Sequence, residues 1–69
     1  MTQKELLYFE DAIGHEANII SICEDIVSKL ENEDLVTFMQ NEIQTHQSMQ
    51  EKLMNLLEEK VNEWSIVNG

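Results

Sequence analysis

From Leu6 onward apolar residues return at three- and four-residue steps: Leu6, Phe9, Ile13, then Ile20, Cys23, Val27 and Leu30. That spacing lines one stripe of an α-helix and cannot line one face of a strand. Ala12, Ile19 and Ile26 widen the stripe on one side. A second run follows, with Leu35, Phe38, Met39, Ile43, Met49, Leu53, Leu56, Leu57, Val61 and Trp64 on one broad face. Proline is absent, and Gly14 and Gly69 are the only glycines, so neither run is interrupted by a strong breaker.

Terminus signals divide the chain. "TQKE" at 2–5 fits a capping box, with Thr2 capping the helix and Glu5 reaching back. "ENED" at 31–34 is the break: Asn32 suits an N-cap, and Glu33 and Asp34 suit the positive end of a helix dipole. The expected organisation is one domain over 1–69, with helix 1 over about 2–30, a turn at 31–32 and helix 2 over about 33–65. "SIVNG" is expected to fray. At 1.5 Å per residue both helices are roughly 40–50 Å long, and so short a connection forces them antiparallel.

Sixty-nine residues bury too little surface to be comfortable as a lone two-helix unit. The single cysteine, Cys23, rules out an internal disulfide and reads as a small core residue in a reducing compartment. A partner subunit or a metal is therefore expected. The fold class follows: all-α, an antiparallel two-helix hairpin that dimerises into a four-helix bundle.

Two positions break the apolar pattern. Helix 1 carries Glu16 where the stripe asks for an apolar residue. Helix 2 carries Glu42, His46 and Gln50 within its stripe. Folding the hairpin about residues 31–32 pairs positions whose numbers sum to about 62 or 63, which sets Glu16 level with His46. Glu42 lies one turn away. Glu16, His46 and Gln50 then read as a polar core layer, hydrogen-bonded and able to fix register, or as groups simply solvated where the bundle is splayed or wet. Alternatively, two copies of Glu16, Glu42 and His46 supply four carboxylates and two imidazoles, the ligand inventory of a carboxylate-bridged iron or manganese site. The spacing here is Glu-x-x-x-His, whereas such sites use Glu-x-x-His. His15 sits at the edge of the stripe one turn after Asp11 and reads as a surface position. Gly14 either admits a neighbouring helix or is simply tolerated, and the four methionines read as core filler.

Charge and motifs exclude several functions. Fourteen acids against four Lys and Arg give a formal charge of −10, which disfavours nucleic acid and anionic membranes. Glu24, Asp25, Glu58, Glu59 and Glu63 read as a solvated face, available to a basic partner. "MTQKELLYFEDAIGHE" lacks the basic and apolar regions of a signal peptide, so a cytoplasmic location is expected. No nucleophile constellation, glycine-rich phosphate loop or CxxC occurs, so no enzyme activity is expected.

Residues 11–57 resemble small sporulation-associated proteins of Firmicutes, the spore coat protein F-like group with ferritin-like helical pairs. The matching residues are Asp11, Ala12, His15 and Glu16, then "NEDL" at 32–35, then Glu42, His46 and Gln47. The resemblance implies a ferritin-like bundle, a place in the spore coat and a structural role among coat-like protein partners. Two departures stand out. Glu33 replaces the usual turn proline, and members of that group are often longer, so this chain would need a partner to complete the bundle. The Ser-Gln-Glu-Leu-Asp signature of sporulation phosphatases is absent. The kinase-inhibiting hairpins share size and class, which leaves a regulatory partner-binding hairpin as a further expectation.

Overall fold

In a computed structural model, which describes the backbone of residues 1–68 and the side chains of residues 1–64, two helices pack against each other. Helix α1 spans Gln3–Lys29 and α2 spans Glu33–Asn68. No strand occurs among the described residues.

Each end has a local cause. Thr2 caps α1: the Glu5 amide donates to Thr2 Oγ1 at 3.0 Å, and the Thr2 amide donates to Glu5 Oε1 at 2.8 Å. The Thr2 backbone N–H first, and the Thr2 side chain second, hold the Glu5 carboxyl below its ordinary range. Leu30 turns extended and ends α1, with its amide returning to Val27 O at 3.2 Å. Lys29, in the last turn, pairs with Asp25 at 2.9 Å. Asn32 then caps α2, accepting the Leu35 amide on Oδ1 at 3.0 Å. Helix α2 passes the end expected near 65 and continues to Asn68, because Ser65–Asn68 contain no breaker.

The three-residue connection makes the helices antiparallel. Both cross-helix hydrogen bonds, Glu16 with His46 and Gln50 with Ile13, join residues whose numbers sum to 62 and 63. The seam on α1 is Leu6, Phe9, Ile13, Glu16, Ile20, Cys23, Val27 and Leu30. On α2 it is Val36, Met39, Ile43, His46, Gln50, Leu53 and Leu57. This is a strict alternation of three and four, the 3.5-residue period of two helices that wind about each other.

That period corrects the broad face read from the sequence. At 3.6 residues per turn Leu35 falls at the centre of the stripe. In the structure Leu35 is 52% exposed and Val36 takes the seam position. Phe38, Met49, Leu56, Val61 and Trp64 are also exposed. Of the methionines only Met39 packs in the seam; Met1, Met49 and Met54 are exposed.

The molecule measures 53 × 16 × 12 Å, so it is one helix diameter thick. Each helix has one neighbour, and no described side chain is fully buried. Ile20 and Glu16 are the best-buried described residues.

Candidate functional site

The polar residues of the seam gather around one imidazole. His46 projects from the middle of α2 and Glu16 from the middle of α1. Glu16 Oε2 lies 2.5 Å from His46 Nδ1, and their side chains are 11% and 22% exposed. A carboxylate only accepts hydrogen bonds, so when Glu16 is ionised it is Nδ1–H that donates. The bond is charge-assisted and short because little water competes for either group.

Glu42 stands on the other side of the ring. Its Oε2 is 4.0 Å from His46 Nε2, too far for a hydrogen bond, and its side chain is 43% exposed. The two residues are four apart on one helix, so their side chains share a flank. Gln50, one turn further along, turns instead to the backbone, and its Nε2 donates to Ile13 O at 3.5 Å. Every buried side-chain polar atom among the described residues has a hydrogen-bond partner.

Glu16, Glu42 and His46 therefore meet at one imidazole, while Gln50 closes the layer against a main-chain carbonyl. Glu16 is committed to Nδ1. The donors left for a metal in one chain are His46 Nε2 and the Glu42 carboxylate. No group of three or more His, Cys, Asp or Glu able to hold a metal occurs among the described residues. Ile13 had no signal in the sequence as a partner, because its contribution is a backbone oxygen. Val36 did have one: a seven-residue count back from Ile43 lands on it. His15 is exposed, and a Cβ at Gly14 would meet nothing within 4 Å, so no helix of this chain approaches there.

A second feature lies beside this layer. Ala12, Ile19 and Ile26 each precede a seam residue of α1 by one position, as Leu35, Glu42, Met49 and Leu56 do on α2. In an antiparallel pair these two rows flank the same side of the seam. Tyr8, Ile22 and Phe38 lie one turn before Ala12, Ile26 and Glu42 and extend that flank, all three exposed. The result is an apolar side with Glu42 near its centre. The opposite flank carries Glu10, Ala17, Glu24, Gln40 and Gln47, and becomes apolar only towards the far end of α2, at Met54 and Val61.

No helix among the described residues is long and apolar enough to cross a membrane. No known protein family matches the chain, and neither does any curated protein or solved structure.

Proposed function

We propose that the chain is a non-enzymatic structural and interaction module that assembles with a second copy of itself into a four-helix bundle. Its role is then that of the coat-like group it resembles, building an assembly through helix faces. The observation that carries this reading is uncovered surface. The chain exposes 5465 Å² for a mass of 8.1 kDa. A compact monomer of that mass exposes about 4,500 Å². The excess, on the order of 1,000 Å², matches what one partner buries in a stable interface, about 800 Å² or more. Ile22, Ile26, Leu35, Phe38, Met49 and Leu56 are exposed along one flank, and such an exposed apolar row marks an interaction surface. Two such flanks packed face to face turn two rods into a bundle with a shared core.

Light scattering coupled to gel filtration tests the proposal. The expected mass is twice that of one 8.1 kDa chain. The variant Ile22→Glu/Phe38→Glu, altered only at exposed positions, is expected to stay helical and run as a monomer. A wild-type chain that stays monomeric at high micromolar concentration would contradict it.

A further inference from the structure

His46 is arranged as a metal-ligating histidine is. Glu16 takes Nδ1–H at 2.5 Å, which fixes the ring plane and leaves Nε2 directed away from that carboxylate. Among the described residues no side chain hydrogen-bonds Nε2, and Glu42 Oε2 lies 4.0 Å away on the open flank. Two donors bound at about 2.0–2.2 Å to one tetrahedral ion sit roughly 3.4 Å apart. A rotation of the half-exposed Glu42 side chain closes that difference.

One chain supplies two donors, and a closed structural site takes four. The assembly proposed above supplies the other two. Glu42 lies near the centre of the apolar flank, so a twofold axis through that centre brings the Glu42–His46 pairs of two copies to the same level. A cation would stabilise such a contact. Without one it would press two Glu42 carboxylates into an apolar interface between chains that each carry −10.

We infer that two copies share one divalent transition-metal ion, held by His46 Nε2 and the Glu42 carboxylate of each, with Glu16 as the residue that positions His46. The inference rests on the assembly reading. Two imidazoles and two carboxylates in a tetrahedral set suit zinc, which is the probe to use. It differs from the three-ligand set read from the sequence, because Glu16 stands behind the imidazole and does not touch the ion.

The test is native mass spectrometry and sedimentation of metal-stripped protein titrated with zinc chloride. Wild type should bind one zinc per two chains, and its dimer dissociation constant should fall at least tenfold. Zinc should shift the ¹⁵N resonance of His46 Nε2 and leave Nδ1 bonded. Glu42→Gln, at a half-exposed side chain that makes no hydrogen bond, should keep its fold and lose the zinc response. Glu16→Gln should keep the stoichiometry and weaken zinc binding about 10- to 100-fold. A metal-free dimer indifferent to zinc, or zinc binding that survives Glu42→Gln, overturns the inference and leaves the assembly reading standing. A chain monomeric with and without zinc overturns both.

Discussion

Replacing His46 by leucine leaves Glu16 in the seam without its partner, and the cost can be sized from the geometry. Breaking a fully buried ion pair costs about 3–5 kcal/mol, and leaving a buried polar group unpaired about 1–3 kcal/mol. Here the two side chains retain 11% and 22% exposure, so some water reaches the orphaned carboxylate. That places His46→Leu at about 2 kcal/mol, near the middle of the unpaired-group range. In a domain of this size each kcal/mol moves Tm by about 4–8 °C, so the variant should melt about 8–16 °C below wild type. Glu16→Leu/His46→Leu removes both partners and replaces them with apolar side chains, so its Tm should return to that of wild type or above it. Glu16→Leu alone completes the double-mutant cycle, and if that variant is neutral the coupling is about 2 kcal/mol. Far-UV circular dichroism melts measure it, at one fixed protein concentration because self-association makes Tm depend on concentration. A His46→Leu variant as stable as wild type, with the double variant no better, would refute the reasoning. Glu16 would then be solvated and the 2.5 Å contact would contribute nothing.

Two further expectations concern single sites. Gly14→Ala adds a methyl group in open space inside a helix, so it should raise stability by about 0.5–1 kcal/mol; a lowered Tm would show that something unseen occupies that space. The Glu5 carboxyl is held below its ordinary range by Thr2, and because its folded value is depressed, its contribution is present above the unfolded carboxylate range and is lost as pH falls through the folded value. The Tm gap between wild type and Glu5→Ala should therefore close in acid, and a gap that persists there would contradict the capping role.

Much of the fold was legible because it is local. The caps at Thr2 and Asn32, the lack of any breaker within either run and the three-four spacing from Leu6 to Leu30 depend on neighbours within a turn or two of chain. The level pairing of Glu16 with His46 was legible too, since a three-residue connection between straight helices leaves little freedom of register. Exposure along α2 was harder to read. The sequence places Leu35, Phe38 and Met39 in one stripe, and a 3.6-residue wheel cannot decide which of them meets α1.

What the sequence determined by itself is therefore two capped helices, their antiparallel return and the level at which their polar residues meet. Tertiary structure alone decided how those residues divide the work. Winding the helices about each other shifts the seam from a 3.6- to a 3.5-residue period, which brings Val36 in and turns Leu35 and Glu42 onto the flank. It also decided that Glu16 faces Nδ1 of His46, so that Nε2 is left beside Glu42. The two nitrogens differ by little more than 2 Å in position, and a helical wheel has no coordinate that separates them.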